Sequence, residues 1–266
     1  MTATSVAGTA RRAGHSKPLV ALTRMGFIGY GLFHLAIAWL ALQIALGHAD
    51  NSGDQSGAFQ LLNRQPGGKV LLIVIIVGLI AMAIWQILLA AVGESKTFER
   101  VASLARTVVY GFLAYTAIKV ASGTPTSSSQ QQKKATAGVL SHTAGQILVG
   151  LAGVAVVAVA IGMIYYGLAR KFESKLMMQQ MSAKVRAVVT RLGQVGYTSK
   201  GIALGIVGVL LFVVAWLDSK ARSSGLDAAL HTLSKQPFGR VLLILIAVGF
   251  AAHGVYCFCQ SKYRRI

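Results

Sequence analysis

The chain reads as an all-α polytopic membrane protein. Six transmembrane helices are expected as three tandem helical hairpins, with pseudo-threefold symmetry about the membrane normal. Three observations predict this. Hydrophobic residues make up 55% of the 266 positions and charged ones only 12%, against about 25% charged in an ordinary soluble domain, and the mean hydropathy is +0.62. No Asp, Glu, Lys or Arg occurs at 25–49, 70–93 or 241–261, and each run is long enough for the roughly 20 residues that cross a bilayer. Finally, Gln65-Pro66-Gly67-Gly68-Lys69-Val70-Leu71-Leu72 returns as Gln236-Pro237-Phe238-Gly239-Arg240-Val241-Leu242-Leu243. A repeated two-span unit sets class, orientation and approximate symmetry together.

Residues 1–24 form a basic tail with no apolar segment before Met25. A cleaved signal peptide is therefore not expected, and the first span serves as the insertion signal. Repeat 1 occupies 25–93, with spans at 26–46 and 70–92. Repeat 2 occupies 101–168, with spans at 101–121 and 147–168. Lys119 interrupts the third span near one end, where its long stem can snorkel to the headgroups. A basic linker at 169–191 leads to repeat 3 at 192–260, with spans at 196–217 and 241–260. Its first span is short as an apolar run and extends backward across Lys200.

Because each unit crosses twice, all three enter from the same side. Small-residue pairs line up in their first helices: Gly26 and Gly31, Ala102 and Thr107, Gly196 and Gly201. Such residues let membrane helices approach closely. Facing the axis, they would pack it shut; facing within each unit, they would leave room for a cavity. Gly68, Gly145 and Gly239 share a place at the start of the second helices, and Thr143 stands where Pro66 and Pro237 stand in the other units.

The net charge of +19 follows the expected membrane sides rather than a nucleic-acid footprint. With the N-terminus inside, 17 of the 26 Lys and Arg residues fall inside: Arg11, Arg12, Lys17, Arg24, Lys96, Arg100, Arg106, Arg170, Lys171, Lys175, Lys184, Arg186, Arg191, Lys200, Lys262, Arg264 and Arg265. The positive-inside rule then places both termini in the cytoplasm, as an even span count requires. This face would attract anionic headgroups at up to about 1 kcal/mol per residue, so membrane lipids are the expected partners. No nucleic-acid module accompanies the charge.

The loop residues Ala58-Phe59-Gln60-Leu61-Leu62 and the segment 226–233 carry apolar residues at helical spacing, as interfacial helices or a lid would. The stretch 124–132 is Ser- and Gln-rich and reads as an exposed flexible loop. Trp85, Tyr165, Tyr166, Trp216 and Tyr256 are expected in interfacial belts, and Lys96-Thr97-Phe98-Glu99 and Arg170-Lys171-Phe172-Glu173 as headgroup anchors.

Polar groups inside spans are expensive and usually face protein or water. His34, Gln86 and His253 are expected at a common depth on the cytoplasmic half. Tyr110 occupies the repeat position of His34, completing a candidate polar cluster. Interhelical hydrogen bonds are its plainer role, and proton relay or metal binding the functional one. Cys257 and Cys259, two residues apart, point to different helix faces and suit neither a metal site nor a redox motif. All seven acids lie in expected loops, and no nucleotide-binding, hydrolase or zinc-protease motif is present. No catalytic residue, cofactor or metal is therefore assigned, and the chain is not expected to be an enzyme.

Arg24-Met25-Gly26-Phe27, Tyr110-Gly111, Arg191-Leu192-Gly193-Gln194-Val195-Gly196-Tyr197 and the two Gln-Pro loops together resemble the bacterial membrane family catalogued as domain of unknown function 1206. The resemblance runs from Arg24 almost to the C-terminus and implies a six-span, three-repeat inner-membrane protein with no established activity. The expected role is structural, organising lipid or protein partners. A channel or transporter for a small solute or protons is the alternative, and the lack of an acid in any span weighs against cation coupling.

Overall fold

The computed structural model describes residues 17–47, 53–92, 97–124, 127–140, 142–216 and 237–265. The tail 1–16, Gln236 and the expected helix at 226–233 lie outside them. Among the described residues eight α-helices follow in order: α1 Lys17–Ala45, α2 Gln55–Asn63, α3 Gly68–Val92, α4 Thr97–Ala121, α5 Ser128–Leu140, α6 Thr143–Leu168, α7 Ala183–Trp216 and α8 Gly239–Tyr263. Six of them, α1, α3, α4, α6, α7 and α8, are long and apolar enough to cross a membrane. The fifth, α7, has 34 residues, roughly 50 Å at 1.5 Å per residue, so one end projects beyond a bilayer core about 30 Å thick. Lys200 lies in the middle of this helix rather than at its end.

Helix packing runs in one circuit. The first span α1 lies between α3 and α8, α4 packs on α3, and α7 lies between α8 and α6. The first and last helices are thus neighbours, while α4 and α6, the two spans of the middle unit, form no comparable interface. The three units make an open ring broken at that point.

Glycine positions explain the close approaches. A Cβ placed on Gly29 would lie 2.8 Å from Gly78 Cα, holding α1 to α3, and one on Gly249 would overlap Ser199, holding α8 to α7. Across units, a Cβ on Gly31 would stand 2.9 Å from the Gly254 carbonyl of α8, and one on Gly201 would stand 2.8 Å from the Ala160 carbonyl of α6. Gly26 packs on Met82 of α3, and Gly196 on the His253 backbone of α8. The first glycine of each pair therefore meets the second span of its own unit, and the other meets the preceding unit. These relations recur between repeats and are consistent with a threefold relation. Small residues face neighbouring helices rather than the centre, which is left to larger side chains.

The turns into the second spans also recur. A Cβ on Gly68 would overlap the Leu62 carbonyl, and one on Gly145 the Val139 carbonyl. Gly67 (φ 73°) and Phe238 (φ 63°) share a left-handed conformation just before α3 and α8, one that costs little only for glycine. Helix α2 forms where the apolar spacing of 58–62 predicts a helix, capped by Asp54, whose carboxylate accepts from Gly57 N at 2.9 Å. Residues 128–140, read as partly a flexible loop, instead form α5. Ser128 N donates to Ser56 Oγ at 3.0 Å, joining the loops of the first two units. Its polar composition hid a helix that occupies the place of α2.

At the opposite end, here called the linker end, residues 171–181 fold back beneath the bundle in two 3₁₀ turns. Phe172, Leu176 and Met181 are buried with Val189 and Tyr256. Met177 N donates to the Tyr263 carbonyl at 2.8 Å, and Arg265 N to that of Lys175 at 3.0 Å. Phe172 is thus a core residue rather than a headgroup anchor, because Gly193 leaves a hollow that its ring fills. Trp85 and Tyr256 are likewise buried, whereas Tyr165 and Trp216 are exposed as a belt requires.

Candidate functional site

The interior cluster begins on α1, where Tyr30, His34, Ile37 and Ala41 recur at helical spacing on an inward face. His34 Nδ1 lies 2.8 Å from the Tyr30 carbonyl. A carbonyl can only accept, so this nitrogen carries the proton and Nε2 keeps a lone pair. From α8, His253 brings its ring to 4.7 Å from that of His34. From α7, Lys200 Nζ donates to Tyr30 Oη at 3.1 Å and lies 3.3 Å from His253 Nε2. An ammonium only donates, so Nε2 accepts and the proton of His253 sits on Nδ1, a buried atom with no hydrogen-bond partner. Tyr110 of α4 meets the Tyr30 ring edge-on at 5.2 Å, and Tyr197 of α7 meets His253 at 5.1 Å. Four helices from all three units converge on this one point.

Of the residues singled out in the sequence, His34 and His253 are in ring contact, and Tyr110 joins them through Tyr30. Gln86 does not join. Helix α3 runs antiparallel to α1 with Met82 level with Gly26, so Gln86, one turn further, moves about 6 Å toward the linker end. His34 lies two turns from Gly26 in the other direction. The Gln86 side chain is buried with Oε1 unpartnered.

The sequence reading missed Lys200, Tyr30 and Arg106. In the sequence Lys200 reads as a charge of the inner face, because a lone lysine beside a short apolar run resembles a span end. The legible signal was the register: Tyr30, Arg106 and Lys200 each stand four residues after Gly26, Ala102 and Gly196, at one place in the three first helices. Arg106 shares an α4 stripe with the buried Tyr110, Leu113 and Ala117 but is itself exposed. It lies within electrostatic reach of Lys200, Tyr30 and Tyr110, and also of Tyr166 on α6.

No acid balances these cations among the described residues. Asp54 caps α2, Glu99 lies in the first turn of α4, and Glu173 accepts from Thr190 Oγ1 at 2.7 Å. Nor do any three His, Cys, Asp or Glu side chains gather as a metal site among the described residues. Cys257 and Cys259 are free thiols, the first buried. The site is rich in N–H and O–H donors and poor in acceptors, an arrangement that complements an anion.

No solved structure matches the chain. It is 28% identical over 250 residues, 91% of this chain and 90% of the relative, to a Bacillus subtilis (strain 168) protein described as "Uncharacterized protein YxxB". The family described as Domain of Unknown Function (DUF1206) matches three times in tandem, at 25–93, 101–170 and 195–264. With three matches that follow its three helical units, the chain belongs to the DUF1206 family.

Proposed function

We propose that this protein is a non-enzymatic multi-pass protein of the bacterial inner membrane that organises anionic lipid, with both termini in the cytoplasm. The observation that carries the reading is the break between α4 and α6. It leaves the basic interior uncovered by a helix pair on that side. Helix α6 supports it, burying only a narrow stripe of small residues, Gly150, Gly153, Ala160 and Gly167, against α7. The basic residues of the linker and the C-terminus supply the attraction for anionic headgroups. Reconstitution into vesicles of mixed phosphatidylglycerol and phosphatidylcholine tests this: phosphatidylglycerol is expected to be enriched around the protein, with no flux of protons or ions above empty vesicles. The orientation is tested by a membrane-impermeant thiol reagent in a Cys257→Ser, Cys259→Ser background. From outside, it is expected to label Gln130→Cys, an exposed position of α5, and to miss Ser182→Cys, which is equally exposed at the linker end.

Transport is the second reading, favoured by the contact of His34, His253 and Lys200 inside the membrane. A flux that disappears in His34→Ala and His253→Ala would establish it in place of the first.

A further inference from the structure

We propose that Lys200, Tyr30 and Arg106 form a receptor for the phosphate group of an anionic lipid that enters the bundle sideways between α4 and α6. The inference rests on the lipid-organising reading and gives it a specific site.

Charge is the first argument. The Lys200 ammonium has three N–H donors, and its two protein partners, Tyr30 Oη and His253 Nε2, are neutral. One donor is left over, and no carboxylate among the described residues pairs with it. A cation held inside a low-dielectric bundle without a counter-ion is costly, and an anion supplies the missing partner. Arg106 brings a second positive charge, and its planar fork matches two phosphate oxygens at once. The Tyr30 hydroxyl accepts from Lys200 and keeps its own proton to donate. These three groups occupy the same place in the three repeats, so an anion between them would bind every unit.

Access is the second argument. Lys200 and Tyr30 lie on inward faces yet remain partly exposed, and Arg106 is exposed, while α4 and α6 leave the ring unclosed. Both helices carry exposed apolar side chains, including Val109 on α4 and Leu151 and Ile161 on α6, which suit acyl chains. At the linker end Phe172, Leu176 and Met181 pack beneath α7 and α8, and Arg264 lies 5.0 Å over the Phe27 ring. The lateral route therefore favours a lipid phosphate over free phosphate from water.

The test uses the full-length chain in nanodiscs of phosphatidylglycerol and phosphatidylcholine, with retained lipid measured by native mass spectrometry. Wild type is expected to retain phosphatidylglycerol, Lys200→Gln to retain at least about tenfold less, and Arg106→Gln to fall in between. Lys200→Arg should keep most of the retention. Lys184→Gln, an exposed charge on the projecting end of α7, should leave it unchanged. Thermal unfolding checks that Lys200→Gln is folded, and Arg106→Gln, whose side chain is exposed, decides the matter if it is not. Retention equal to wild type in the folded variants would overturn the site while sparing the broader reading. Wild type without any preference for phosphatidylglycerol would overturn both. Saturable, Lys200-dependent binding of inorganic phosphate in phosphatidylcholine-only nanodiscs, with displacement of the lipid, would overturn the lipid as the source.

Discussion

The first and third units close on themselves, and the middle unit does not. Gly29 meets Gly78 between α1 and α3, and Ser199 meets Gly249 between α7 and α8. The same places in the middle unit hold Ala105 and Ala155. A gap that leaves less than 3 Å for a Cβ has no room for even one methyl group. Contacts between units persist, as at Gly31 with Gly254 and Gly201 with Ala160. Helix association in lipid lacks a hydrophobic driving force and depends on how closely backbones can approach. Loss of one glycine pair therefore opens one seam and leaves its neighbours intact.

Six substitutions, two of them controls, would break or sharpen this contrast. The largest effect is expected at the linker, which ties α6 and α7 to the end of α8. Phe172→Ala should cost about 3–5 kcal/mol in unfolding followed in detergent, whereas Phe238→Ala, at a side chain 81% exposed, should stay within about 0.5 kcal/mol. A neutral Phe172→Ala would mean that the glycine seams alone hold the open ring together.

Next comes the closed seam itself. A Cβ on Gly78 would lie 2.7 Å from Gly29 Cα, so Gly78→Val should destabilise by about 1–3 kcal/mol. Gly162 on α6 has nothing within 4 Å, and Gly162→Val should be neutral by the same thermal assay. Equal losses at both positions would show that α4 and α6 close in the membrane.

At the loop end, Asp54→Ala should cost about 1 kcal/mol through the lost α2 cap. It should also raise amide exchange at Gly57, which donates to that carboxylate. The smallest effect belongs to the open seam: Gly111→Ala, likewise with nothing within 4 Å, should stabilise α4 by up to about 1 kcal/mol. A rise in the melting midpoint reports it.

Much of the architecture was legible because its signals are local. Span lengths follow from uninterrupted apolar runs, and the repeat follows from a loop motif together with glycines at matching places. The expected meeting of His34 and His253 followed from spacing and from the adjacency of first and last helices. Gln86 failed because depth estimates count residues from helix ends, whereas the antiparallel register of α3 against α1 is set where Gly26 meets Met82. α5 was missed because its Ser, Gln and Lys residues carry no apolar periodicity, and its tie to Ser56 is a contact distant in the sequence.

By itself the sequence determined that six apolar helices exist, that they come in three related pairs, and that none carries an acid within its expected span. Hydrophobic length, repetition and residue identity are properties of the chain read in order. Only the tertiary structure decided that Lys200 turns inward onto Tyr30 and His253, that Phe172 is core, and that the ring stays open between α4 and α6. Each of these depends on how closely two distant backbones can approach, which is settled by single Cβ atoms meeting across a helix interface.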